Sequence, residues 1–319
     1  MKKKILAILP ALAVSFLGFS HAEVPSDYPS RNIEIIVPFG PGGSTDTSAR
    51  LIANSLGKYL PNNPNVVVVN KPGGATTIAI MALVNADPDG YTLALTSNSP
   101  ITIQPHFDTT TYSYDSFTPI IKLVNIPQVL LVKKDSPWAS FDEWLSYVKD
   151  NPSDFTYATP GNGSISDLAM AVLNEAANVS TRAIPYNSGG KAMAAMLGGN
   201  VGGVATFQGN ADSSQTRALV NFSSERSTKY GDVPTLRDVG IEAEKNAYIG
   251  IIAPKGIDPE IADILHNALK QTLEDPSVQE ALLNQSFDIS YGNSETYADL
   301  IQADYNLNGA LLRNAGLIN

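Results

Sequence analysis

Five short stretches of the chain combine glycine with hydroxyl side chains: 42-GGST-45, 73-GGATT-77, 97-SNS-99, 161-GNGSIS-166 and 188-SGG-190. Glycine lets a backbone approach an anion closely. Serine and threonine hydroxyls add donors. A helix that follows such a stretch offers free N–H groups and the positive end of its dipole. Together these groups can hold a carboxylate without arginine. Any one stretch is equally the composition of a tight turn and a helix cap, but several, spread over two halves of the chain, point to anion binding. The first lies within 33-IEIIVPFGPGGSTDTSARLIANSLGKYL-60 and is not a nucleotide loop: no lysine follows its glycines, and no G-x-G-x-x-G spacing occurs.

The residues in these loops that could touch an anion are Gly42, Gly43, Ser44 and Thr45, then Ser97 and Asn98, then Gly161, Gly163, Ser164 and Ser166, then Ser188 and Gly189. Asp46 is unusual beside an anion. It is either a first-turn carboxylate facing its own helix dipole or a ligand contact. Tyr186 either lines a cleft or is an ordinary half-buried aromatic. Catalytic groups are few. Beyond residue 22 the histidines are His106, in a Pro- and Thr-rich loop, and His266, within an amphipathic helix. No G-x-S-x-G or H-E-x-x-H is present, and the adjacent acids Asp142 and Glu143 read as a solvated face. A secreted enzyme using Ser164 as nucleophile would need a base that the sequence does not supply. No catalytic residue, cofactor or metal is therefore expected.

The elements that would position these loops alternate. Ile33–Val37 is a continuous apolar run, as in a strand buried on both faces, and Ala49, Ile52, Leu56 and Tyr59 follow at helical spacing. Val66–Val69 and Tyr91–Thr96 are the next strands, with a helix between them, an order that implies a parallel sheet. The pattern restarts at 118-TPIIKLVNIPQVLLVKKDSP-137, interrupted at Asn125–Pro127. Helix Phe141–Lys149, strand Phe155–Thr159, a helix from about Ser166 to Ala177, strands Val201–Phe207 and Arg217–Phe222, and strand Ala247–Ala253 follow. The remainder reads as three helices, with Asp258 and Ser294 as N-caps.

Lys2, Lys3 and Lys4, the apolar run Ile5–Phe19 and Ser20-His21-Ala22 form the pattern of a cleavable export signal over residues 1–22. The run is shorter than the roughly 20 residues that a membrane span needs, and Pro10 interrupts it. Without the three signal lysines, 18 basic residues stand against 31 acidic ones, a net charge of −13. That excludes nucleic acid and anionic membrane surfaces as expected partners. Zero cysteines exclude disulfides and zinc–thiolate sites.

The stretches 28-YPSRNIEIIVPFGPGGSTDTSAR-50, 70-NKPGG-74, 185-PYNSGGKAMAAMLGGNV-201, 233-VPTLRDVG-240 and 250-GIIAPKGIDPEIADILHNAL-269 together resemble the substrate-binding receptors of tripartite tricarboxylate transporters, the Bug or TctC family. The resemblance implies an α/β, two-domain type II periplasmic binding protein, a Venus flytrap whose domains are each a mostly parallel sheet flanked by helices. It implies a monomeric periplasmic receptor that captures a small carboxylate of the di- or tricarboxylate class in an interdomain cleft. The carboxylate would pass to integral-membrane transporter components, or the receptor would serve a sensor kinase. The family's first ligand loop falls on Phe39 to Asp46, the second polar loop on Ser97 to Ser99, and the opposite side on Gly161 to Ser166, Tyr186 and Ser188 to Gly190. The chain departs from the family pattern at Thr76 and Thr77, where less side chain is usual, and at Thr206 and Gln208, where an aspartate is usual nearby. Both departures bear on the ligand. The expected domains are 27–124 with 250–319, and 125–249, with hinges near Asn125–Gln128 and Ala247–Ile251.

Overall fold

In the computed structural model the described residues are 27–42, 44–107, 110–186, 188–227 and 231–319, excluding the side chains of Ser44 and Ala75. The export signal and Gly43 lie outside them. The elements run β1 (Ile33–Val37), α1 (Ser44–Leu56), β2 (Val66–Asn70), α2 (Thr77–Val84), β3 (Thr92–Ser97), β4 (Phe117–Ile126), β5 (Gln128–Lys133), α3 (Phe141–Asp150), β6 (Thr156–Thr159) and α4 (Ile165–Ala177). Then come β7 (Arg182–Pro185), α5 (Gly189–Leu197), β8 (Gly203–Phe207), β9 (Thr216–Asn221), β10 (Ala247–Pro254), α6 (Pro259–Glu274), α7 (Pro276–Asn284), β11 (Asp288–Gly292) and α8 (Ser294–Asn314). Among the described residues no helix is long and apolar enough to cross a membrane.

Two sheets form, in the orders β11-β4-β10-β3-β1-β2 and β7-β6-β8-β5-β9. The continuous apolar strands of the first are explained by burial on both faces. Ile33, Ile35 and Val37 of β1 enter one core with Leu93, Leu95, Ile249 and Ile251. Ile36, between them, points to the other core with Ala94, Tyr248 and Ile252. The period of two sends successive residues to opposite faces. Helices α1, α6 and α7 cover the first face; α2 and α8 cover the second. The other sheet repeats the scheme, with Leu130 and Val132 facing α3 and α4, and Val129 and Leu131 facing α5.

The sheets are mixed rather than mostly parallel. β1 pairs in parallel with β2 and β3, and β6 with β7 and β8. The pairs β10–β3, β10–β4, β11–β4, β5–β8 and β5–β9 are antiparallel. The reason is connectivity. Strands β1 to β4 finish at one end of the first sheet, and the chain leaves from there through Pro127. β5 therefore starts at the end of the second sheet where β6, β7 and β8 finish. The returning strand β10 likewise starts where β3 and β4 finish. A strand that enters at the end where its neighbours leave must run against them.

Two local expectations change. Strand β11 was not expected: it is a five-residue edge strand with a half-buried pattern, too short to stand out from its flanking helices. The N-cap of α8 is Asn293, which accepts the Thr296 N–H, while the Ser294 hydroxyl donates to the Pro119 carbonyl. Gly250, in the middle of β10, makes room for Tyr297 of α8: a Cβ there would stand 2.5 Å from the ring of this fully buried tyrosine. Gly250→Ala should therefore lower stability by about 1–3 kcal/mol through overpacking, read as a lower urea midpoint with an unchanged slope.

Candidate carboxylate-binding cleft

The first glycine-rich loop is organised by its own acid. Asp46 is buried at 2% exposure. Its carboxylate accepts the Gly42 N–H at 2.8 Å, the Asn70 Nδ2 at 2.8 Å and the Arg50 Nε at 3.1 Å, and pairs with the other Arg50 nitrogen at 2.9 Å. Asn70 also donates to the Phe39 carbonyl at 2.9 Å. Burial pushes the Asp46 pKa up, but the bonds from Arg50, Gly42 and Asn70 outweigh it and hold the pKa below the usual carboxylate range. The carboxylate is thus engaged within its own loop. Gly42 takes φ +84°, which only glycine adopts without strain.

The loop before α4 repeats this device in the second sheet. Asp167 accepts the Gly163 N–H at 3.0 Å, four residues back, just as Asp46 does with Gly42. The spacing is written in the sequence as 42-GGSTD-46 and 163-GSISD-167; reading the second loop only to Ser166 stops one residue short of it. Among the described residues no cation joins Asp167. Burial raises its pKa, against the bonds from Gly163 and Tyr157. Ser164 and Ser188 act as N-caps, accepting the Asp167 and Lys191 N–H groups. Gly161 lies against Tyr186, 3.8 Å from a Cβ position to the Tyr186 carbonyl, and the Tyr186 N–H donates to Thr159. Of the three helices α1, α4 and α5, only α5 has no acid in its first turn.

Near the first crossing the polar groups are neutral amides and hydroxyls. Ser166 donates to Gln128 Oε1 at 2.7 Å, and Gln128 Nε2 donates to the Ile126 carbonyl. Thr206 accepts from Asn210 at 2.9 Å, with Gly189 beside both. Gln208 accepts from Asn221 at 3.4 Å, and its own Nε2 is buried without a hydrogen-bond partner among the described residues. Ser97 is buried at the end of β3. Asn98 is fully buried, and its amide donates to the Asn246 carbonyl and to Asp304. Thr76 takes φ +79° at the start of α2, an uncommon conformation for a β-branched residue. Such strain is often stored at functional sites.

Apolar contacts bring the loops together. Phe39, Ile165 and Phe207 all pack against the same core of the first sheet, and the Phe207 ring lies 5.7 Å from that of Phe287. A Cβ on Gly163 would meet Leu312 at 3.4 Å. The ends of β1 and β8 and the start of α4 thus pack on one core, on the side of the carboxyl ends of these strands, where ligands sit in open α/β folds. The histidines lie elsewhere: His106 bonds the Tyr305 carbonyl, and His266 bonds the Ile120 carbonyl and the Tyr291 hydroxyl. Neither is bonded to Ser164.

The family model described as the tripartite tricarboxylate transporter family receptor, TctC, matches residues 48–317. The chain belongs to that family. It is 32% identical to a UPF0065 protein of Cupriavidus necator encoded in the gbd 5′ region, over 97% of this chain and 95% of the relative. Among solved structures it is similar to a ligand-free TctC solute-binding protein from Polaromonas, with a TM-score of 0.82 and 30% identity over 90% of this chain and 99% of that one. It is also similar to MatC from Rhodopseudomonas palustris with bound malate, with a TM-score of 0.71 and 28% identity over 89% and 100%. The receptors of this family bind solutes without converting them, and the two-sheet fold described above is that of a type II periplasmic binding protein.

The twin aspartates give opposite pH responses. The lowered pKa of Asp46 lends the fold stability that is fully present above the usual carboxylate range and is lost as pH falls through the folded-state value. Asp167, with a raised pKa, favours the fold only below its unfolded value and loses that contribution as pH rises through the folded one. Asp46→Asn should cost about 2 kcal/mol at pH 7 through the lost charged bonds, and less at pH 3. Asp167→Asn should cost less than Asp46→Asn at pH 7. Urea unfolding at both pH values checks this; equal losses for the two variants would contradict the assignment.

Proposed function

We propose that this periplasmic receptor holds the carboxylate of a small organic acid between the Phe39–Asp46 loop of the first sheet and the loops carrying Gly161, Gly163, Ser166, Tyr186, Ser188, Gly189, Thr206 and Gln208 of the second. The observation that carries this reading is the paired arrangement of glycine-rich loops on a shared apolar floor at the carboxyl ends of both sheets. Their aspartates are already bonded internally, so the backbone donors near the starts of α1, α4 and α5 favour an incoming anion. Asp46 and Asn98 act as positioning groups rather than direct contacts. The relative MatC carries malate, which supports a ligand of the dicarboxylate class here. Thr206 and Gln208 make the second-sheet side neutral.

The reading includes a division into two domains at the sheet changes, one at Pro127 and the other just before Ala247. The domains close over the ligand by hinge motion, and integral-membrane components of a tripartite transporter receive the solute. A thermal-shift screen of mono-, di- and tricarboxylates tests the ligand class. A ligand at about 100 times its dissociation constant stabilises the fold by about 2.7 kcal/mol, and small-angle scattering should record compaction with the same compound. A shift with a sugar or an inorganic cation, and with no carboxylate, would overturn the reading.

A further inference from the structure

The second crossing contains a node. Asn246 is half-buried, one residue before β10. Its two oxygens serve different sheets. The main-chain carbonyl accepts Asn98 Nδ2 at 3.0 Å, in the loop that follows β3 of the first sheet. Its Oδ1 accepts the Ser223 hydroxyl at 3.0 Å, on the side of the second sheet. From there the bonds continue. The Ser223 N–H donates to Asn221 Oδ1 at 2.9 Å, and Asn221 Nδ2 donates to Gln208 Oε1 at 3.4 Å, at the end of β8.

Outside the Ser223–Asn246 contact, the directions of these bonds are fixed by chemistry. A backbone N–H can only donate, so Asn221 must present its oxygen to Ser223 and its nitrogen to Gln208. Asn98 Nδ2 faces two acceptors, the Asn246 carbonyl and Asp304 Oδ2 at 2.9 Å, so this amide cannot be turned over without losing both bonds. The first-sheet end is anchored. Asp304 forms a buried ion pair with Lys245, immediately before Asn246, and accepts hydroxyl bonds from Thr102 at 3.0 Å and Tyr248 at 3.3 Å. Removing one partner of a buried pair is strongly destabilising, so the anchor resists rearrangement. The yielding links are the half-buried Ser223–Asn246 bond and the long Asn221–Gln208 bond.

We propose that Asn246 is a positioning residue that ties the Ser97–Ser99 loop of the first sheet to the Gln208 turn of the second, so that a change at either set of cleft loops is felt at the other through the crossing. Its meaning for ligand capture rests on the carboxylate-receptor reading; its existence does not, and the test uses no ligand.

The test is amide hydrogen exchange on the ligand-free protein, in the variants Ser223→Ala and Asn246→Ala. Both remove the side-chain link to the second sheet and leave the main-chain bond from Lys245 to the Phe222 carbonyl in place. Both leave the Asn246 carbonyl available to Asn98. The readout lies across the crossing, at the amides of Asn98, Ile101 and Thr102, which donate to Tyr248 and Asn98 carbonyls. Loss of one neutral bond should speed their exchange about threefold to tenfold, while amides within α3 (Phe141–Asp150) keep their wild-type rates. Because both substitutions cut the same link, the double variant should exchange no faster at these amides than either single one. Unchanged exchange at Asn98–Thr102 in both single variants would overturn the proposal. So would additive effects, or an equal acceleration in α3, which would signal a general loss of stability. A carboxylate screen without a hit would overturn the ligand reading and leave this result standing.

Discussion

Two sheets share one chain, and the chain must pass between them without leaving its backbone groups unpaired. Buried N–H and carbonyl groups at such a passage belong to neither sheet, and leaving them unbonded is costly. The structure meets this by bonding the passages to one another. Pro127 has no N–H to satisfy, and its carbonyl accepts from Gln208. The Gln128 carbonyl accepts from Phe222, and the Phe222 carbonyl accepts from Lys245. The first and second crossings therefore lie side by side. The antiparallel strands β5 and β10 follow from this arrangement, and so does the position of the glycine-rich loops, which stand at the strand ends where the chain changes sheet.

The chemistry of those loops is settled before any solute arrives. Gly42 and Gly163 each give an N–H to an aspartate four residues ahead. Each loop is thereby closed on itself, and the helix behind it begins with an internal carboxylate. At Asp46, Arg50 and Asn70 complete the arrangement. At Asp167 a phenol at 3.5 Å is the remaining partner, and burial dominates. The same short sequence pattern thus produces one ionised, well-bonded acid and one whose charge is disfavoured. The difference comes from Arg50, one helical turn after Asp46, and from Asn70 at the end of β2; the position one turn after Asp167 holds Ala171 instead.

What could be read from the sequence follows the range of the interactions. Ile33–Val37 announced a strand buried on both faces, and the Ile35/Ile36 division between two cores bears this out. The interruption at Asn125–Pro127 lies where β4 gives way to β5. Caps such as Asp258 are local and were legible; the N-cap of α8 shifted by one residue, to Asn293, because the Ser294 hydroxyl found a carbonyl 175 residues away. The mixed direction of the sheets was not legible, since it depends on where each crossing enters. Nor was the cluster around Asp304, whose partners Asn98 and Thr102 lie more than 200 residues away in sequence. Thr206 and Gln208 stood out as departures from a family pattern, but their partners Asn210 and Asn221 could be assigned only in three dimensions.

The internal bonding of Asp46 has a kinetic consequence. Because its carboxylate is matched by Arg50, one turn further along α1, this acid and its neighbouring base present little field at the cleft mouth. An approaching anion feels the rest of the molecule, which carries −13 once the signal lysines are removed. Over distances of about 10 Å or more that field repels a carboxylate, and dissolved salt weakens it. Encounter with an anionic solute is therefore slowest in dilute solution and quickens as ionic strength rises, the reverse of steering between opposite charges.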